Sequence, residues 1–333
     1  MAATYKDIQR LTNLSLSTIS KYFNGGNVME ANRKAIDRAV AKLDYRVNEY
    51  ARGLKSKRSK TIGVLISELN STFNTSIIAD IEDIMRQNGY GTIICDSRLD
   101  KQVEKDALEF LLGKMVDGII TIPFDRSGEH LRLADERGVP VVLIDRLLTD
   151  YKADAVIMDN RGAAELAVKE FASNGHSRIG ILCGPESIYT MKSRIEGFKA
   201  ASKKCGIRLN QDYLISGEIN ISGGYEGAKR LLKLKNPPTA LFCANYEITL
   251  GAIIAINECG VKIPTEISII GFDNLLLAQI VKPKLTIISQ PMREIAVNAA
   301  TLMLEHLESE QICGTKIIEL SPGLIKGQSV LKL

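Results

Sequence analysis

The sequence predicts two kinds of fold in one chain: an α-helical helix-turn-helix headpiece, and behind it an α/β body made of two doubly wound parallel-sheet lobes. Three observations predict them. Charge is divided unevenly, with 13 Lys+Arg against 5 Asp+Glu in residues 1–60, a balance of +8, and 30 against 34 in the remainder, a balance of −4. The basic part reads as short helices separated by a tight turn. The acidic part alternates apolar runs with amphipathic stretches, and the whole scheme occurs twice.

Each element follows from local chemistry. Thr4-Tyr5-Lys6-Asp7 fits the capping pattern that opens a helix. Ile8 and Leu11 share one face of it, and Asn13 suits the left-handed turn that ends it. Ser15 caps a second helix running through Asn24, with Ile19 and Phe23 spaced to face inward. Leu16, Ser17, Ser20, Lys21 and Asn24 are left facing outward. Ile36, Val40 and Leu43, spaced i, i+4, i+7, predict a third helix. A polar second helix on a basic miniature domain matches the helix-turn-helix, whose second helix enters a DNA major groove. Residues 44–58 form a short segment with too few apolar side chains to fold alone, followed by a basic run. On its residues alone it is either a solvated linker or an apolar wedge that orders in a DNA minor groove.

From Thr61 onward, runs at 62–66, 91–95, 118–122 and 139–144 predict buried parallel strands, with helices near 75–88, 101–114 and 128–137 between them. A second set follows: strands near 178–183, 213–216, 240–244 and 267–271, and helices near 161–174, 189–204, 223–234 and 247–259. Two such lobes form a crevice at the carboxyl edges of their strands, where doubly wound folds bind ligands. Asp145, Asn245 and Asp273 stand just past strand ends at that edge. Each alone reads equally as a helix cap; together they suit a polyhydroxylated ligand that needs several directional hydrogen bonds.

Composition excludes several classes. With 45% hydrophobic and 25% charged residues the chain is of globular type. No apolar stretch is long enough to cross a bilayer and the amino terminus is not basic-then-apolar, so the expected location is cytoplasmic, with no membrane partner. Six cysteines without a C-x-x-C pair read as buried thiols, three of them (Cys95, Cys183, Cys243) inside strand-like runs. His130, His176 and His306 include no pair at metal-ligand spacing. No phosphate-binding loop and no nucleophile elbow is present, so no catalytic residue, metal or cofactor is expected and the chain is not read as an enzyme. A periplasmic binding protein would share the body but lack the basic head.

Asp7-Ile8 followed by Leu14-Ser15-x-x-Thr18-Ile19-Ser20-x-x-x-Asn24, then Asn48-x-x-Ala51-Arg52-x-Leu54, resembles the headpiece and hinge helix of the lactose/galactose repressor (LacI/GalR) family. Asp159-Asn160-x-x-Ala163, Asn174-Gly175-His176, Arg194-x-x-Gly197-Phe198, Ala244-Asn245, Gly271-Phe272-Asp273 and Gln290-Pro291 resemble its effector domain, which is periplasmic-binding-protein-like. The resemblance implies that Leu16, Ser17 and Lys21 read bases, with Ser20 beside them, and that Thr4, Ser15, Thr18 and Asn24 touch the DNA backbone. It places Tyr45, Asn48, Ala51, Arg52 and Leu54 in the hinge, with Leu54 inserted between base pairs. It assigns Phe73, Asp145, Arg194, Asn245, Asp273 and Gln290 to effector contact. The family's usual alanine, alanine-glycine, proline and third-helix serine cap are replaced by Gln9, Thr12-Asn13, Val47 and Met29. Tyr246 stands where an aspartate is usual, and no aromatic lies near Ile219, where the family often stacks one on its ligand.

The implied organisation is a headpiece at 1–45, a hinge helix and linker at 46–60, a first lobe of 61–158 with 290–318, and a second of 159–289 with 319–333. The implied partners are double-stranded, pseudo-palindromic operator DNA, a small-molecule effector such as a sugar, and a second copy of the chain. The residues leave open whether a protein co-repressor docks on the body. No heptad tail follows the last strand-like segment, and a homodimer is the expected state.

Overall fold

The computed structural model describes residues 3–23, 25–45, 58–273, 275–309 and 314–333. Among the hinge and headpiece expectations, Asn24, Asn48, Ala51, Arg52 and Leu54 lie outside the described residues, as does Cys313. The chain divides into two compact units, residues 1–59 and 60–333.

The headpiece has three helices, α1 (Tyr5–Thr12), α2 (Leu16–Phe23) and α3 (Glu30–Leu43). Its core is Ile8, Ile19, Ile36 and Ala39, closed over by Tyr5, Phe23 and Tyr45. The Tyr5 and Phe23 rings stack at 5.1 Å and Tyr45 lies 5.3 Å from Phe23, so Tyr45 packs against the headpiece core. Leu11, expected to share the inward face with Ile8, is 45% exposed. The core of so small a unit is filled by the other apolar side chains. Asn13 ends α1 at φ 54°, the left-handed conformation its short amide tolerates. The Asp7 carboxylate accepts both the amide and the hydroxyl of Thr4, at 2.9 and 2.7 Å. These hydrogen bonds hold its pKa below the ordinary carboxylate value. Ser15 Oγ accepts from the Thr18 amide at 3.1 Å, capping α2. Met29 at the start of α3 makes no side-chain cap, as the loss of the usual serine implies.

In the body, β1 (Thr61–Ile66), α4 (Thr72–Gln87), β2 (Gly91–Asp96), α5 (Lys101–Gly113), β3 (Gly118–Thr121), α6 (Arg132–Glu136), β4 (Val141–Ile144) and β5 (Asp154–Met158) follow in order. The second series is α7 (Asn160–Ser173), β6 (Ile179–Cys183), α8 (Tyr189–Lys204), β7 (Leu214–Ser216), α9 (Ile221–Leu232), β8 (Ala240–Cys243), α10 (Tyr246–Glu258), β9 (Ser268–Phe272), α11 (Leu275–Ile280) and β10 (Thr286–Ser289). Then come α12 (Met292–Glu308), β11 (Ile317–Leu320) and β12 (Gly323–Ile325). One sheet has strand order β11-β5-β4-β3-β1-β2 and the other β12-β10-β9-β8-β6-β7. The described pairings are parallel except β10 with β12.

The chain passes between the sheets more than once. Helix α12 returns to the first lobe, where Ile295, Ala299, Met303 and Leu307 join its core, and β11 adds an edge strand beside β5. β12 then joins the second sheet. Because β11 continues through Leu320, the last crossover falls at 321–322 rather than at 318. The expected strand at 139–144 begins two residues late, since Pro140 has no amide to donate to a ladder. The expected helix at 128–137 is a 3₁₀ turn at Glu129–Leu131 leading into the short α6. Cys183 and Cys243 are buried and Cys95 is half-buried, but Cys205 and Cys259, at helix ends, are exposed, which corrects the expectation of buried thiols. No described helix is long and apolar enough to cross a membrane.

Candidate functional site

Both lobes present strand ends, and the loops and helix starts that follow them, to one cavity of about 400 Å³. Phe73, Asp145, Arg194, Asn245, Asp273 and Gln290 all line it. The first lobe contributes Phe73, from the first turn of α4, and Asp145, directly after β4. The second contributes Arg194 on α8, Asn245 after β8, Asp273 after β9 and Gln290 after β10.

Local backbone geometry aims the two aspartates. Asp145 and Asp273 have φ of 73° and 55°, a left-handed conformation that a non-glycine residue adopts at a cost of roughly 1 kcal/mol or more. The reversal comes where a buried parallel strand ends, and both residues line the cavity. Asp273 Oδ1 accepts from the Gln290 amide at 3.1 Å and Oδ2 from Gln290 Nε2 at 2.8 Å, tying together the ends of adjacent strands. Burial pushes the Asp273 pKa up to about 6, against the lowering influence of Gln290 and Arg194.

Arg194 is 3% exposed. Its Nε donates to Asn160 Oδ1 at 2.8 Å, its Nη1 donates to the Ala244 carbonyl at 2.5 Å, and the guanidinium lies 3.7 Å from the centroid of the Phe272 ring. Burial lowers its pKa while Asp145 and Asp273 oppose that shift. A guanidinium nevertheless stays cationic throughout the physiological range. Asn245 Oδ1 caps α10 by accepting from the amides of Glu247 and Ile248 at 2.8 and 3.2 Å, and the residue lines the cavity.

Several wall residues escaped sequence reasoning. Arg146 donates to Asp145 Oδ2 at 3.0 and 3.3 Å, so the pair presents a donor and an acceptor side by side. Thr190, buried beside Arg194 in α8, lines the cavity as well. Glu68 and Glu247 come from opposite lobes; desolvation, then the Glu247 charge, raises the pKa of Glu68. No aromatic stands at Ile219, but Phe73 and Phe124 from the first lobe and Tyr189 and Tyr246 from the second line the cavity. Only Arg146 carried a usable signal, an arginine directly after a strand-end aspartate.

On the headpiece, Leu16, Ser17 and Lys21 are exposed along α2, and Ser20 is half-buried beside them. The hydroxyls of Ser15, Ser17 and Thr18 are linked at 2.7 and 2.8 Å at the start of this helix. Thr4 lies at the start of α1. Polar groups, a lysine and a helix amino terminus form one surface there, a combination suited to phosphates and base edges.

A two-lobed ligand-binding body joined to a helical headpiece defines a class, and sequence comparison specifies it further. The family described as periplasmic binding proteins and sugar binding domain of LacI family matches residues 59–319, and the chain belongs to the LacI family. It is 31% identical to the HTH-type transcriptional repressor PurR of Vibrio vulnificus, over 99% of both chains. The crystal structure of the Lac repressor dimer bound to operator and the anti-inducer ONPF superposes with a TM-score of 0.87 at 25% identity, covering 99% of this chain and 100% of that one. A LacI family transcriptional regulator from Enterococcus faecium with bound ribose superposes with a TM-score of 0.73 at 29% identity, covering 82% and 99%. The protein is therefore a DNA-binding transcriptional regulator controlled by a small molecule held in its two-lobed body, and not an enzyme.

Proposed function

We propose that this regulator is a cytoplasmic repressor that binds a pseudo-palindromic operator as a homodimer and releases or tightens it when a sugar or sugar derivative fills the cleft. The observation that carries the reading is the convergence of six polar or aromatic side chains from both lobes on one cavity. Asp145 and Asp273 accept from ligand hydroxyls, Arg194, Arg146 and the Asn245 amide donate to ring or hydroxyl oxygens, and Phe73 covers an apolar ring face. No further cofactor is needed. Leu16, Ser17 and Lys21 read base edges, with Ser20 at their side; Thr4, Ser15, Thr18 and Asn24 hold phosphates; Tyr45, Asn48, Ala51 and Arg52 position the hinge, and Leu54 is its wedge. The lobes, 61–158 with 290–320 and 159–289 with 323–333, close on the ligand and change the spacing of the two hinges. Operator and ligand affinities are then linked.

Selection of duplexes from a random pool by the full-length chain tests this reading. Enrichment of two inverted half-sites is expected, and Leu54→Ala should weaken the enriched duplex far more than random DNA. An unenriched pool, or equal loss on both duplexes, contradicts it.

A further inference from the structure

The cleft is lined by five carboxylates and three guanidiniums. Their pairing within the protein is uneven. Arg146 is spent on Asp145, with the two side chains only 17% and 9% exposed. Arg194 is buried, donates to Asn160 and Ala244, and faces the charges of Asp145 and Asp273. Those two cations and two anions balance one another. What remains is Glu68, Glu218 and Glu247 against Arg126 alone; Arg126 and Glu218 are exposed, and Glu68 and Glu247 are half-buried. Glu218 accepts from the Asn220 amide and has no ion pair among the described residues; Glu68 and Glu247 likewise have none.

Helix amino termini at the cleft do little to reverse this balance. Ser71, Asn220 and Asn245 cap α4, α9 and α10 with their own side-chain oxygens, and Glu247 sits in the first turn of α10. Helix α8 begins without a side-chain cap, at Ile188, and so does α12, at Pro291 beside Gln290. A phosphate dianion entering the cleft would add two negative charges to a surplus of two, in a site where low dielectric strengthens repulsion and, among the described residues, Arg194 and the half-buried Arg146 already face carboxylates.

We propose that the cleft admits an uncharged polyhydroxylated ligand and rejects the phosphorylated form of the same compound, with Glu68 and Glu247, facing each other from opposite lobes, as the rejecting pair. The inference rests on the cleft being the effector site. It makes the regulator a sensor of a compound before phosphorylation: the class of reaction that removes the signal is phosphoryl transfer to the ligand.

The test uses the full-length chain and matched pairs: ribose and ribose 5-phosphate, glucose and glucose 6-phosphate, fructose and its 1- and 6-phosphates, adenosine and cytidine with their 5′-monophosphates. Each is titrated by thermal shift, with hits confirmed by calorimetry. The expected result is binding of at least one unphosphorylated member, with its phosphorylated partner at least tenfold weaker. In the E68Q/E247Q variant, whose amides match the carboxylates in size, that ratio should shrink severalfold, the phosphorylated member gaining more affinity than the uncharged one. A phosphorylated compound that binds as tightly as its parent, or more tightly, overturns the proposal. An unchanged ratio in the double variant also overturns it, because the discrimination is then one of size. A panel in which nothing of either kind binds overturns the effector-site reading itself.

Discussion

Arg194 shows how one side chain holds the cleft together. Its guanidinium reaches Asn160 on one helix and the carbonyl of Ala244 past a strand, over the face of Phe272. Lysine keeps the charge but cannot reproduce the fork or the stacking. Arg194→Lys is therefore expected to cost about 2 kcal/mol of stability, as expected when buried hydrogen-bond acceptors lose a charged donor, and to weaken ligand binding at least tenfold. Denaturant titration and calorimetry read the two effects. Asp273 gives a pH signature. Its folded pKa of about 6 lies above the ordinary 3.8, so the folded state holds an extra proton between those values, and ionisation costs stability as pH rises through that window. A ligand that donates to Asp273 favours the ionised form. Affinity should rise with pH across about 6 and level off above it, and Asp273→Asn should flatten the profile. At this scale the presence of all six proposed contact residues on the cavity wall was legible: Asp145, Asn245 and Asp273 stand past strand ends, whereas Phe73, Arg194 and Gln290 came only from the family resemblance. Thr190 and Glu68 were not, because nothing in their local spacing marks them as cavity-lining; Arg146, directly after Asp145, could have been found.

Among the elements, those with apolar runs bounded by turn residues were readable from sequence, and those without were missed. Strand β5 follows an irregular loop and opens on a charged residue, Asp154, which leaves its apolar run at 155–158 without a turn signal to announce it. Helix α12 buries Ala296, Ala299 and Ala300 among its larger side chains, and alanines hide an amphipathic period. β11 and β12 depend on partners more than a hundred or about forty residues away, β5 and β10, and no local pattern specifies such pairings. Close helix packing was equally hidden. A Cβ added at Gly251 in α10 would lie 2.0 Å from the Ile221 carbonyl of α9, and one at Gly224 in α9 would lie 2.3 Å from the Ile248 carbonyl. The two helices touch backbone to backbone, so Gly251→Ala must push them apart. Overpacking of this kind costs about 1–3 kcal/mol, and the variant should lose that much in chemical denaturation. A stability equal to the parent's would contradict the packing described.

For the whole molecule, the informative sequence feature is the separation of charge between a basic head and an acidic body. The head brings cations to DNA phosphates, and the acidic body avoids competing for them. The central claim is that this grip and the occupancy of the cleft are one coupled equilibrium. The most direct measurement is the dissociation constant of the full-length chain for its selected duplex across a salt series, with and without the cleft ligand. The account predicts affinity that falls steeply and linearly on a log–log salt plot, and a change in operator affinity on adding ligand that equals the change in ligand affinity on adding operator. Affinity indifferent to salt, or a ligand that fills the cleft and leaves operator binding unchanged, would contradict it.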